Sequence, residues 1–335
     1  MNTKIRVLFL SQVPLIKYGL KCGFDQLGHI TSFLDNECST IFKKSKDEQV
    51  KLIMDRVSEF KPDLVFTEGY IGLPLAIVYS KLQKKGIPLF CWDIEASNFP
   101  ALGELFALHS DFLWTTMEEK LDNFRVRGIK CDTLLFGCNP EFHKPSLSED
   151  RFKHDISIVA RNYSNRYDET KWLVLDSIEK GYDVKVYGIW WMHGTRAVNL
   201  LQYPNNYWSE YGNDADLPYE WLSPVVNSSK IMLGMNVPID SNSHCSMRPF
   251  ETLACSNNSL LVGHYQKGQK NIFGDYMYHV NNANEAEYAF KEILSMTDEQ
   301  RIEKAKLARE FVHKNHNYSL RAQQVVDKFY EFGGI

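Results

Sequence analysis

Two spacings of apolar residues alternate along this chain. Short apolar runs that read as buried strands occur at Ile5–Leu10, Asp63–Thr67, Pro88–Trp92, Phe112–Thr115 and Asp132–Phe136, with a further candidate at His29–Leu34. Between them lie stretches with helical spacing. Lys46–Phe60 carries Val50, Leu52, Ile53, Val57 and Phe60 at that spacing and stops before Pro62. Gly19–Gly28, Pro74–Lys84 and the charged stretch Met117–Arg127 also read as helix. Strands alternating with helices predict a parallel sheet with helices on both faces.

The alternation pauses over Gly137–His154, where Asn139-Pro140, Pro145, Ser146 and Ser148 mark a linker. It then restarts. Strands are predicted at Asp155–Val159, Asp183–Tyr187, Lys230–Leu233 and Leu260–Val262. Helices are predicted at Glu169–Lys180, Arg248–Cys255, Ala286–Met296, Thr297–Asn315 and Leu320–Phe332. Ile189–Leu222 breaks the rhythm, being irregular and rich in Trp and Tyr. The expectation is two α/β domains in tandem whose sheets face a cleft, with ligands outside the carboxyl ends of the strands.

Length agrees with this picture: 335 residues fit two domains at roughly 100–200 residues each. Thirty-eight Lys and Arg against 42 Asp and Glu give a net charge of −4. That disfavours a general binder of phosphate backbones but leaves a local basic cleft open. The first apolar run is too short for a signal-peptide core, and no stretch of about 18 apolar residues occurs, so a cytoplasmic protein without a membrane span is expected. The seven cysteines are scattered without a C-x-x-C pair and read as reduced thiols, not as a zinc site. The sequons at Asn162, Asn227, Asn257 and Asn317 read as chance matches.

Several cofactor signatures are missing. Ser11-Gln12-Val13-Pro14 follows the first strand in place of G-x-G-x-x-G, which disfavours a dinucleotide oxidoreductase. No P-loop, G-x-S-x-G elbow or H-E-x-x-H motif appears. The informative stretch is Ser241–Cys255, S-N-S-H-C-S-M-R-P-F-E-T-L-A-C. Ser246 suits a helix N-cap and Pro249 a first helical turn, so backbone N–H groups are expected to be free for an anion. Arg248 adds a positive charge there, and Glu251 follows one turn on. A phosphate at the amides and a ribose diol at the carboxylate would fit a nucleotide. A capped helix with a surface Arg–Glu pair fits the same spacing.

These residues resemble the C-terminal domain of CgeB-like, spore-maturation-type proteins within the wider group-1 glycosyltransferases. R-x-F-E-x-x-A-C carries the resemblance. D-I-S-I-V-A-R-N-Y-S-N-R at 155–166, S-S-K-I-M-L-G-M at 228–235 and H-N-Y-S-L-R at 316–321 support it in the same order. The likeness runs over roughly residues 130–325. It implies a GT-B fold: an acceptor-side Rossmann-like domain over 1–140, a nucleotide-sugar donor domain over 141–315, and a C-terminal helix over 316–335 crossing back onto the first domain. It also implies metal-independent transfer, with helix N-termini and basic side chains neutralising the diphosphate, and no cofactor beyond the donor substrate, a UDP-sugar. The wider pattern has two glutamates seven residues apart. Glu251 matches the second, whereas His244 stands at the first, and Ser256-Asn257 replaces the usual glycine after A-C.

The resemblance assigns Glu251 to the ribose hydroxyls, Arg248 to phosphate, and one of Arg161 and Arg166 to the diphosphate, with Lys171 a further candidate. His244 would touch the donor sugar or stand as a loop histidine on the surface. Gly19 and Gly23 stand where such proteins have a glycine-containing first loop near the phosphate. Asp93 and Glu68 end strands of the first half, so their carboxylates are expected to face the cleft. Asp93 would act as base on the acceptor hydroxyl if the anomeric carbon inverts, or would position substrate if it is retained. Glu68 reads equally as a cap for the following helix. The insert Ile189–Leu222 is expected either to line an acceptor groove or to form a local hydrophobic cluster. His316, Tyr318 and Arg321 are expected to fix the crossing helix. The acceptor would be a saccharide, a protein or modified DNA, and a homodimer is compatible with this reading. A sugar-nucleotide epimerase and a non-catalytic saccharide- or partner-binding protein are the alternatives.

Overall fold

The computed structural model describes residues 3–11, 13–34, 44–68, 73–96, 100–161, 166–188, 218–237 and 239–333. Most of the aromatic insert, residues 189–217, lies outside the described residues. The chain divides into two compact units, Met1–Asn139 with His316–Ile335 and Pro140–Asn315.

The first unit holds a six-stranded parallel sheet: β1 (Arg6–Leu10), β2 (Ile30–Phe33), β3 (Leu64–Thr67), β4 (Leu89–Asp93), β5 (Phe112–Thr115) and β6 (Cys131–Thr133) in the order β2-β1-β3-β4-β5-β6. Every residue of β3, β4 and β5 is buried, which is why these strands read as apolar runs and not as an alternation. Among the helices, α1 (Lys21–Gln26) follows a π-helical turn over Ile16–Leu20, α2 is Lys46–Phe60 and α3 is Leu75–Gln83. Next come α4 (Pro100–Leu108) and α5 (Leu121–Arg125). Ser45 and Glu48 form a reciprocal capping box at the start of α2, and Lys61 ends it in the left-handed conformation at φ 51° before Pro62.

Residues from 316 onward belong to the first unit. Cys138 and Asn317 form a parallel bridge, with Cys138 N donating to His316 O at 2.8 Å and Tyr318 N to Cys138 O at 2.8 Å. The last helix, Tyr318–Glu331, is then held from below by Arg321, whose Nε donates to the carbonyls of Leu135 and Phe136 at 3.1 Å each. Tyr318 itself is 1% exposed.

In the second unit, β7 (His154–Val159), β8 (Val184–Tyr187), β9 (Ser229–Gly234), β10 (Leu260–His264) and β11 (Tyr278–Val280) form a parallel sheet in the order β11-β10-β9-β7-β8. A helical segment runs from Tyr167 to Glu179 with a π-helical middle, Thr170–Leu175. The remaining helices of this unit are α6 (Leu222–Asn227), α7 (Met247–Cys255), α8 (Lys267–Phe273), α9 (Ala283–Ser295) and α10 (Asp298–Asn315). One continuous core joins Ile156, Leu173, Val174, Ile231, Leu233, Val262, Phe290 and Ile293. Four elements have no counterpart in the periodicity. Helix α4 joins the fold through Phe106, α6 contains Pro224, α8 is short and polar, and β11 has three residues. Gly137–His154 is also more than a linker, because Phe152 and His143 are buried in it. Among the described residues no helix is long and apolar enough to cross a membrane.

Candidate active site

The crossovers leave in opposite directions between β1 and β3 in the first unit and between β7 and β9 in the second, so each sheet has a switch point at these carboxyl ends. Polar residues gather there. In the second unit, Asn236 follows β9. Its side-chain amide donates to Gln269 Oε1 and accepts the Ser246 hydroxyl. Gln269 Nε2 donates to His264 O at 3.3 Å, and Gln266 Nε2 donates to Val237 O. Buried amides thereby tie the loop after β9 to the starts of α7 and α8. Ser246 stands at the N-cap position of α7 as expected from its sequence, but its hydroxyl is turned to Asn236 and makes no side-chain cap bond.

Glu251 is fully buried on α7. Its Oε2 accepts from Arg248 Nη1 at 2.8 Å, and its Oε1 accepts the Tyr219 hydroxyl. Burial raises its pKa, while the charge of Arg248 and the bond from Tyr219 oppose that rise. His143 Nε2 lies 3.8 Å from Glu251 Oε1 and 3.1 Å from the Tyr219 hydroxyl. Burial first, then the charges of Arg248 and His313, lower His143 to about 3, so its ring is neutral. Phe142 stacks on Tyr219 at 5.3 Å between ring centroids. The Arg248–Glu251 pair is therefore one end of a buried polar network and not a surface pair. Tyr219 and His143 had no local signal: Tyr219 is 32 positions from Glu251, and His143 falls in the apparent linker.

Arg161 is exposed just past β7, while Arg166 is 8% exposed at the start of the following helical segment. Arg166 Nη1 donates to Arg161 O at 3.5 Å. Lys171 is paired with Asp176 at 2.8 Å on the outside of that segment. His244 is 3% exposed, with its backbone N donating to Ser241 Oγ at 2.9 Å. The second unit thus supplies three arginines, amides at a helix start, and one carboxylate with unused lone pairs that a ligand reaches only where the covering side chains move aside. Such a set can hold an anion and a vicinal diol.

In the first unit, Asp93 and Glu68 end the neighbouring strands β4 and the segment after β3. Both are buried, at 0% and 4% exposure. A Cβ on Gly103 would lie 2.5 Å from Asp93 Oδ2, so α4 closes over that carboxylate and does not leave it open to solvent. Burial raises Asp93 to about 7, against the pull of Lys120. The folded chain therefore binds the Asp93 proton more tightly than the unfolded chain. Stability from this group is full below its unfolded value of 3.8 and is lost as pH rises through about 7. Asp93→Asn removes that dependence. Its thermal midpoint is expected to gain on that of the wild type as pH moves from roughly 5 to 9; parallel midpoints across that range would contradict the assignment.

Gly19 does not sit in a loop. It lies inside the π-helical turn, where a Cβ would run into the Tyr318 ring, and Gly23 in α1 approaches the Tyr318 carbonyl in the same way. Close helix packing accounts for both glycines. A cavity of about 530 Å³ lies at the opposite, amino ends of β3 to β5, lined by Asp63, Pro88, Asp111, Phe329 and Phe332, and collects none of the candidate residues.

Residues 168–327, just under half of the chain, match the family described as Glycosyl transferase-like. No curated protein matches the chain. Among solved structures, a UDP-forming α,α-trehalose-phosphate synthase from Burkholderia xenovorans aligns over 99% of this chain and 100% of its own, with 11% identity and a TM-score of 0.61. An α-glucosyltransferase in complex with UDP-glucose and DNA containing an abasic site aligns over 98% of this chain and 100% of its own, with 13% identity and a TM-score of 0.62. A trehalose-6-phosphate synthase aligns over 98% and 99%, with 13% identity and a TM-score of 0.60. The chain has the GT-B fold of two parallel α/β units, and most of its second unit carries sequence similar to glycosyl transferase-like proteins.

Proposed function

We propose that the protein is a glycosyltransferase that binds a nucleotide-sugar donor, a UDP-sugar, in its second unit and passes the sugar to an acceptor hydroxyl. The observation that carries this reading is the Arg248–Glu251 pair at the start of α7, inside the segment similar to glycosyl transferase-like proteins. In the reaction the bond from the anomeric carbon to the diphosphate oxygen breaks, and negative charge grows on the leaving diphosphate. Arg161, Arg166 and Arg248 are fixed positive charges suited to receive it without a bound metal. Glu251 accepts the ribose hydroxyls through the lone pairs that Arg248 and Tyr219 leave unused. His244 borders the transferred sugar. Glu68 acts on the acceptor side, and Asp93 does so only where α4 swings off its carboxylate. The acceptor proton ends on a base of the first unit, or on the leaving diphosphate if configuration is retained.

Within this reading the chain is a CgeB-like member, acts in the cytoplasm on a saccharide, protein or modified DNA, and is able to form a homodimer. A thermal-shift screen against UDP, GDP, CDP, CMP and ADP, with and without Mg²⁺, tests the donor site. A ligand that binds only the folded state raises the midpoint by mass action. One nucleotide giving a selective, Mg²⁺-independent rise is the expected result, and no rise with any of them would sink the reading. Incubation of the matching nucleotide sugar without acceptor separates transfer from epimerisation, since only an epimerase yields an epimeric donor.

A further inference from the structure

His264 ends β10 and is 4% exposed, yet among the described residues neither its Nδ1 nor its Nε2 has a hydrogen-bond partner. Leaving a buried polar group in this state is unfavourable, and a bound ligand is one source of the missing partner. Its surroundings indicate which partner. Side chains alternate along a strand, so Leu260, Val262 and His264 share one face of the sheet. Leu260 and Val262 pack there in one core with Leu173 and Val174 of the helical segment after β7. Thr170 Oγ1 contacts Met235 Sδ at 3.7 Å, which sets the start of that segment over the end of β9.

Arg166 immediately precedes the same segment and is itself 8% exposed. Burial first, and the charge of Arg166 second, lower His264 to about 4 and keep its ring neutral. A neutral imidazole offers one N–H, and a guanidinium offers five donors and no acceptor. A ligand to which both side chains can donate at the carboxyl ends of β9 and β10 is an anion with several acceptor oxygens, and a phosphate group has that form.

We infer that His264 donates a ring N–H to a phosphate oxygen of the ligand that Arg166 binds, which makes it a further binding residue of the second unit. The inference rests on the donor reading above, in which that phosphate belongs to a nucleoside diphosphate; inorganic pyrophosphate presents the same chemistry.

The full chain labelled with ¹⁵N-histidine, with the His264 ring assigned by its disappearance in His264→Phe, is titrated with UDP, GDP and ADP in turn and separately with pyrophosphate. The expected result is that one nucleoside diphosphate shifts the His264 ring nitrogens. His264→Phe should then weaken that nucleotide about tenfold, the loss of one hydrogen bond to a charged group, while His264→Asn, which retains a donor, should weaken it less. A nucleotide that binds the wild type with unmoved His264 nitrogens overturns the inference and leaves the donor reading standing. Pyrophosphate that shifts His264 while no nucleotide binds keeps the phosphate contact and removes the donor reading. Binding of neither overturns both. If His264→Phe does not fold, His264→Asn supplies the assignment and the wild-type titration decides.

Discussion

Glu251→Gln is expected to lower affinity for the selected nucleoside diphosphate by about 10- to 100-fold, the range of one to two hydrogen bonds to a charged group. The carboxylate has about four lone-pair sites. Arg248 and Tyr219 use two of them, and the ribose hydroxyls would use the rest. Glutamine keeps the shape but replaces one acceptor oxygen with an NH₂ group. If that group faces Arg248, two donors oppose each other; if it faces the ribose, an acceptor for the diol is gone. Arg248→Ala is expected to act in the same direction by removing a positive charge from the phosphate end. Titration calorimetry on both variants, with circular dichroism to confirm folding, checks this. Wild-type affinity in both folded variants would place the nucleotide elsewhere.

Gly23→Ala is expected to destabilise the first unit by about 1–3 kcal/mol, the usual range for overpacking. The added methyl meets the carbonyl of Tyr318 and the backbone nitrogen of Ser319. Backbone atoms at the first turn of a helix cannot rotate aside, so α1 and the C-terminal helix must separate. Gly19→Ala meets only the Tyr318 ring and is expected to cost less, because a side chain has rotamers to try. The thermal midpoint of Gly23→Ala should fall by about 2–4 °C for each kcal/mol. Limited proteolysis should also begin at the C-terminal helix. An unchanged midpoint would mean that the two helices are not packed as described.

The parallel α/β class was legible because strands buried on both faces must be apolar throughout, as in Leu64–Thr67 and Phe112–Thr115. The long helices were legible because one buried stripe imposes a helical period, and Pro62 stops one of them locally. Elements held mainly by neighbours were not. Strand β11 has three residues and exists through its pairing with β10, so no window of sequence contains its cause. Helix α4 is stabilised where Phe106 enters the core and Gly103 lies over Asp93, and neither is a periodic signal.

The candidate site divides along the same line. Arg248, Glu251 and the helix start were readable because they lie within one turn of each other, where spacing along the chain is distance in space. Arg161 and Arg166 were readable as charges after a strand, but only the fold buries Arg166 and leaves Arg161 in solvent. Sequence alone determined that this chain builds two parallel sheets and where the basic, carboxylate-bearing helix begins, because local period and local charge suffice for both. The tertiary structure alone decided that Glu251 shares its carboxylate with Tyr219, that Asp93 is sealed beneath Gly103, that Gly19 and Gly23 serve helix packing, and that His264 has no hydrogen-bond partner among the described residues. Each of these depends on which side chains meet across long loops, and burial then sets the energy of every polar group that they enclose.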